Sequence, residues 1–267
     1  MTGATRPVVA LLTDFGLDDP FVGIMKGVVL SRCPDAMLID LTHGVAPQAV
    51  AEGAFWLERS VEWLPQGAVV VAVVDPGVGT ARSPLVLAAL GRIFVGPDNG
   101  LLAPVAARDA ASLAYIIEPE RVGLDVRSRT FHGRDMFAPV AAELAAGRLS
   151  PPDVGPRAAR FEAKALPRAT AKGEVVTGTV VTVDRFGNLI TSIERGLVPA
   201  GPAVAEIGGA RAAVRTTYGE AAPGELVALV NAFDVLEVAV RDGSAARSLG
   251  VGRGAEVVVR PTSSRRD

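Results

Sequence analysis

Apolar and polar positions follow two different rhythms along the chain, and the change from one to the other divides it. Residues 8–12 are an unbroken apolar run stopped by the polar turn Thr13-Asp14-Phe15-Gly16, which predicts a strand. Phe21, Val22, Ile24, Met25, Val28 and Val29 then recur at helical spacing and stop before Pro34. A second strand is predicted at 37–41, and a helix at 49–64 with Val50, Ala54, Phe55, Leu57, Val61 and Leu64 on its buried face. Residues 68–74 are valine-rich and apolar throughout, the pattern of a central parallel strand covered on both faces. Shorter strands are predicted at 85–89, 92–95 and 113–117, and a helix at 133–146 closed by Gly147. Strands alternating with helices predict a layered α/β domain with a mostly parallel sheet over residues 6–165.

The rhythm breaks between about 150 and 172, where Pro151, Pro152, Gly155, Pro156 and Pro167 punctuate a polar stretch that reads as a linker. Beyond it, over 173–262, β signals dominate at 175–183, 189–192, 203–207, 210–216, 226–230, 236–240 and 255–259. Turn pairs such as Gly187-Asn188, Gly208-Gly209 and Asp242-Gly243 separate them, so a smaller, barrel-like all-β domain is expected. The last residues, 263–267, are expected to be disordered.

Composition narrows the function. Lys and Arg number 27 against 29 Asp and Glu, a net charge of −2, so no basic field exists to hold nucleic acid. One cysteine, Cys33, rules out an intrachain disulfide and has no assigned role. The longest apolar run, 68–74, is far short of the ~20 residues that span a bilayer. No leader pattern opens the chain, so a cytoplasmic protein without a membrane partner is expected.

Candidate chemistry collects at the ends of predicted strands. Asp14 follows the first strand and Asp75 follows 68–74, and in open α/β sheets ligands bind beyond the carboxyl ends of strands. Either carboxylate alone is equally compatible with a helix cap or an Asx turn. Asp75-Pro76-Gly77-Val78-Gly79-Thr80 is a glycine-bearing turn that matches neither the P-loop nor the dinucleotide fingerprint, so no phosphate cradle is expected. His132, at the start of the 133–146 helix and beside Arg134, is expected to be neutral and suited to a general base. His43 is expected to be structural, bonding backbone at the end of the second strand. In the β domain, Asp184-Arg185-Phe186-Gly187-Asn188 is either a plain hairpin turn or a loop in which Asn188 reads a purine edge and Phe186 packs on its face.

Read together, Leu12-Thr13-Asp14-Phe15-Gly16, Asp40-Leu41-Thr42-His43, Val74-Asp75-Pro76-Gly77-Val78-Gly79-Thr80, Gly96-Pro97-Asp98-Asn99-Gly100, Thr130-Phe131-His132-Gly133-Arg134-Asp135, Asp184-Arg185-Phe186-Gly187-Asn188 and Leu236-Glu237-Val238-Ala239 resemble the S-adenosyl-L-methionine hydroxide adenosyltransferases. That family is kin to the S-adenosylmethionine-dependent fluorinase and chlorinase, and the resemblance covers nearly the whole chain. It implies cleavage of S-adenosylmethionine by water at the ribose C5′, giving adenosine and L-methionine with no cofactor and no metal. It implies a catalytic Asp75, Arg82 and His132, with His132 taking the water's proton. It also implies substrate contacts from Asp14 (ribose hydroxyls), Asp19 and Asp184 (methionine ammonium), Asn188, Phe186 and Tyr218 (adenine), and Glu237. Where relatives usually carry serine, this chain has Ala232. The resemblance further implies a homotrimer with sites at subunit interfaces.

Three other functions fit parts of the pattern. A halogenase would need an extra loop in the first domain, for which the stretch from Arg82 to Gly96 leaves no room. A metal-dependent hydrolase would draw on Asp14, His43, Asp75, His132 and Asp135, none of which shows the spacing of a zinc motif. A binding module for adenosine or S-adenosylmethionine would need the same pockets without turnover.

Overall fold

The computed structural model describes residues 6–163 and 166–262; the tail at 263–267 lies outside them. Two compact units divide the chain, Met1–Leu166 and Pro167–Asp267.

The first unit runs β1 (Val8–Thr13), α1 (Phe21–Arg32), β2 (Met37–Thr42), α2 (Val50–Ser60), β3 (Val69–Val73), β4 (Pro84–Ala89), β5 (Arg92–Pro97), α3 (Ala103–Ala107), β6 (Leu113–Ile116) and α4 (Ala138–Ala145). Its sheet has the order β2-β1-β3-β5-β4-β6. The first four of these are parallel neighbours, and β4 runs antiparallel between β5 and β6. The apolar runs are continuous because both faces are covered. Val9 and Leu11 of β1, with Val69, Val71 and Val73 of β3, pack with Met25 and Val29 of α1 and Val140 and Ala141 of α4. The alternate residues, Ala10, Leu12, Val70 and Ala72, pack with Ala54 and Leu57 of α2 and Val105 of α3.

This parity explains where a site can form. The chain leaves β1 over one face through α1 to reach β2, then crosses the other face through α2 to reach β3 on β1's opposite side. The order therefore reverses between β1 and β3, whose carboxyl ends meet at Thr13 and Val73. Such a reversal opens a crevice beyond the strand ends.

Two predicted helices differ in detail. The helix expected over 49–64 stops at Ser60 and tightens into a 3₁₀ turn, Val61–Trp63, because Pro65 forces Leu64 into extended backbone with ψ at 146°. The helix expected over 133–146 opens with a π turn, Gly133–Phe137, in which Ala138 N bonds Gly133 O. Pro139 has no N–H to continue the α ladder at that point, and the extra residue absorbs the gap. In the proline-rich stretch, Pro151–Val154 is a 3₁₀ turn with a Ser150/Asp153 capping box, and Val154 is fully buried. Ala158, Phe161 and Leu166 pack on the α2/α3 side of the first core.

The second unit contains β7 (Thr170–Lys172), β8 (Val175–Val183), β9 (Leu189–Glu194), β10 (Ala203–Ile207), β11 (Ala210–Val214), β12 (Leu226–Val230), β13 (Val235–Val240), α5 (Ala245–Leu249) and β14 (Glu256–Pro261). The order β14-β10-β11-β12-β13-β9-β8 closes on itself through a β14–β8 pairing, while β7 adds to β8 outside the ring. Expected strands thus form a closed barrel, filled by Val180, Leu189, Ile193, Ala205, Leu236, Val238 and Val257 among others. The five-residue helices α3 and α5 were not expected, being too short to show a period.

Candidate active site

Two cavities, one in each unit, gather most of the candidate residues. The first is about 410 Å³ and lies at the β1/β3 reversal, lined by Asp14, Phe15, Phe21, Pro47, Gln48, Val73, Asp75, Pro76, Val78, Thr130, Phe131, His132 and Gly133. Phe15, Phe21 and Phe131 form its aromatic wall, packing edge to face with centroids 5.3–6.0 Å apart.

Asp75 leaves the end of β3 and its turn returns Arg82 to it. Arg82 Nε donates to Asp75 Oδ1 at 2.9 Å and Nη2 donates to Oδ2, a two-point fork. Nη2 also donates to His132 Nδ1 at 2.9 Å. The guanidinium lies over the Phe137 ring, 5.4 Å from its centroid. A flat, five-donor group satisfies all of these at once, as an ammonium cannot. The turn is held against the segment leading to His132: Gly79, at φ +78°, approaches Arg129 O so closely that a Cβ would sit 2.9 Å from it. Asn99 fixes the start of the turn, its Nδ2 donating to Val74 O at 2.8 Å and its Oδ1 accepting from Leu101 N.

Arginine has no acceptor, so His132 Nδ1 must be the acceptor in that contact and the proton of the neutral ring sits on Nε2. Burial lowers the His132 pKa below 6.5, and Arg82 lowers it further against the opposing pull of Asp75 and Asp135. The imidazole is therefore neutral at pH 7 and is a hydrogen-bond donor through Nε2. The expected general base requires an unprotonated nitrogen toward the reacting water, which Nε2 in this tautomer does not offer.

Asp14 Oδ2 accepts from Gln48 N at 2.8 Å, which joins the end of β1 to the segment entering α2. Asp19 is exposed and does not line the cavity. His43 bonds side chains rather than backbone: Thr13 Oγ1 through Nδ1 and Asp40 Oδ1 through Nε2. Asp135 accepts from Arg134 and from Ser128 N. Among the described residues no group of three or more His, Cys, Asp or Glu is arranged to hold a metal ion. No helix of the described residues is long and apolar enough to cross a membrane.

The second cavity, about 500 Å³, is lined by Phe186, Asn188, Tyr218, Val240, Arg241, Asp242 and Gly243. Phe186 is 76% exposed and Tyr218 42%, unusual for aromatic rings and suited to covering a flat ligand. Asp184 organises the loop: Oδ1 accepts from Phe186 N and Asn188 N, and Oδ2 from Asn188 Nδ2, all at 2.9 Å. Gly187, at φ +87°, passes so near Ser244 that no side chain fits. Glu237 is buried behind the cavity, accepting from the Tyr218 hydroxyl and from Asn231 Nδ2. Burial pushes its carboxyl above the usual range, and the two donors pull it back. Asp242 and Gly243 showed in the sequence only as a turn pair, Asn99 only as a member of the Gly96-Pro97-Asp98-Asn99-Gly100 motif, and Arg241 and Gln48 carried no recognisable signal.

Comparison with known proteins places the chain in a family. The model for the S-adenosylmethionine hydroxide adenosyltransferase N-terminal domain matches residues 9–155, and that for the C-terminal domain matches 178–258. A protein of Thermus thermophilus named (R)-S-adenosyl-L-methionine hydrolase is 45% identical over 94% of this chain and 98% of its own. A fluorinase of Nocardia brasiliensis is more distant, 32% identical over 73% of each chain. A crystal structure of an uncharacterised conserved protein from Thermotoga maritima superposes with a TM-score of 0.88 at 36% identity, covering 94% of this chain and 99% of that one. The chain belongs to the S-adenosylmethionine hydroxide adenosyltransferase family.

Proposed function

We propose that this protein hydrolyses S-adenosyl-L-methionine at the ribose C5′, giving adenosine and L-methionine. The observation that carries the reading is the Asp75–Arg82–His132 array at the mouth of a crevice between two parallel strands. The substrate's sulfonium already makes methionine a good leaving group, so the protein needs only to place a water in line with the C5′–S bond. The water oxygen forms the new bond to C5′, and the C5′–S electron pair stays on sulfur as the neutral thioether. His132 Nε2–H donates to the water and Asp75 accepts from it. Asp75 takes its proton, since a carboxylate retains acceptor sites beyond the two occupied by Arg82. Arg82 fixes the orientation of both. Asp14 binds the ribose hydroxyls, an acceptor for two donors, and Phe186, Asn188 and Tyr218 hold adenine. Asp19 and Asp184 are assigned to the methionine ammonium.

No added metal or organic cofactor takes part in the reaction as proposed, and assembly as a homotrimer of the 27.5 kDa chain in the cytoplasm belongs to the same reading. Greater likeness to the hydrolase than to the fluorinase supports water over halide as nucleophile. Incubation with S-adenosylmethionine in H₂¹⁸O, with and without chloride or fluoride, tests it. The expected result is adenosine labelled at the 5′ oxygen and one methionine per adenosine. A 5′-halo product as the main species, or tight adenosine binding with no methionine released, overturns it.

A further inference from the structure

The motif Asp40-Leu41-Thr42-His43 has no part in the chemistry above, yet it forms a relay of defined polarity that runs from an exposed carboxylate to a buried hydroxyl. His43 is 5% exposed and Thr13 fully buried. His43 Nε2 lies 3.0 Å from Asp40 Oδ1, and its Nδ1 lies 2.8 Å from Thr13 Oγ1. A carboxylate only accepts, so Nε2 carries the ring proton and Nδ1 accepts from the Thr13 hydroxyl. The hydroxyl oxygen accepts in turn from Phe15 N at 3.2 Å, and at the far end Lys26 Nζ donates to Asp40 Oδ2 at 2.6 Å. Hydroxyl, imidazole and carboxylate stand in the order of a hydrolytic triad, but Thr13 has no surface with which to reach a substrate.

What the relay does reach is the turn after β1. Thr13 begins it, Phe15 N is tied to the Thr13 hydroxyl, and Gly16 N donates to His43 O at 2.8 Å. Asp14 and Phe15, between those anchors, line the first cavity with Asp75 and His132. We infer that His43 is a positioning residue for Asp14: the Thr13–His43–Asp40 relay sets the turn that presents this carboxylate and thereby sets nucleoside affinity. The inference rests on the cavity being the substrate site proposed above.

Thr13→Val keeps the branched shape and removes the hydroxyl, whereas Thr13→Ser keeps the hydroxyl. Thr13→Val is expected to raise the calorimetric Kd for adenosine and the KM for S-adenosylmethionine about tenfold, the loss of one buried hydrogen bond. Its kcat should stay within about threefold, and Thr13→Ser should match wild type within about twofold on each measure, the differences expected when only binding geometry changes. Unchanged Kd and KM in a folded Thr13→Val, even with a lower melting temperature, overturn the inference, as does an equal defect in Thr13→Ser. Asp40→Ala, at an exposed position, provides the second variant if Thr13→Val does not fold; the relay predicts a Kd rise of about threefold, and no rise refutes it. A wild-type protein that binds adenosine but releases no methionine defeats the hydrolase reading separately, and the Kd series still decides the relay.

Discussion

Replacing His132 by glutamine, asparagine and alanine separates donor from base. Glutamine reaches about as far as the imidazole Nε2 and ends in an N–H, but it accepts no proton at pH 7. Asparagine reaches only the Nδ1 position, where its oxygen can accept from Arg82 and nothing is offered to the cavity. If His132 serves as a donor, His132→Gln loses one imperfectly placed hydrogen bond, about 0.5–1.5 kcal/mol, or about threefold to tenfold in kcat/KM. If it serves as the base, the loss is about 10²–10⁴-fold for all three variants. The 2.9 Å contact from Arg82 to Nδ1 predicts the order His132→Gln well above His132→Asn and His132→Ala. Methionine release in single-turnover and steady-state assays gives the numbers, and ¹⁵N-histidine spectra of the resting protein should show the proton on Nε2. A His132→Gln variant as inactive as His132→Ala, or a proton found on Nδ1, would refute the reasoning. The pH profile tests the Arg82 contact. The His132 pKa lies below 6.5, so the neutral ring predominates at neutral pH; as pH falls through the lowered value Nδ1 gains a proton and can no longer accept from Arg82, and activity falls although Nε2 still donates. That acid limb should be missing in His132→Gln.

Other consequences are simpler to measure. Arg82→Lys keeps charge but cannot fork to Asp75, reach His132 and stack on Phe137 together, so turnover should fall at least about a hundredfold; a rate near wild type would show that charge alone suffices. Gly187→Ala combines a left-handed φ with a collision at Ser244 and should cost about 1–3 kcal/mol in urea unfolding, whereas an unchanged midpoint would mean that the loop yields. Tyr218→Phe leaves the buried Glu237 with Asn231 alone and should destabilise by about 1–3 kcal/mol; no change would mean that the hydroxyl contributes nothing net.

The sheet was legible because its strands are covered on both faces: continuous apolar runs with a valine-rich 68–74 have few alternatives. Asp14 and Asp75 were legible as strand-end carboxylates, but their adjacency was not. It arises from the order reversal that pairs β1 with β3, a property of the whole sheet rather than of either segment. The neutral state of His132 was readable from its neighbourhood, whereas its tautomer depends on a guanidinium fifty residues away. The π turn escaped because Pro139 sits where helical periodicity is otherwise intact. Gln48 escaped because it acts through its own backbone N–H, and the role of Asn99 was not readable from its motif because it acts on the carbonyl of Val74 at the start of a different segment.

Strand β1 stands between β2 and β3, and Val9 pairs with both Leu38 and Val69. During synthesis it emerges before the other strands of its sheet, apolar on both sides, and its second neighbour leaves the ribosome only after two helices and another strand have followed. Closing so long a loop is slow, because entropy is lost before the pairing contacts form. The crevice between β1 and β3 therefore comes into being in a late step of folding, and a nascent chain ending before β3 presents an unpaired edge along β1. Truncations ending before Val69 should aggregate or recruit holdase chaperones, whereas chains extending through α4 and the stretch to Leu166 carry every partner that β1 needs.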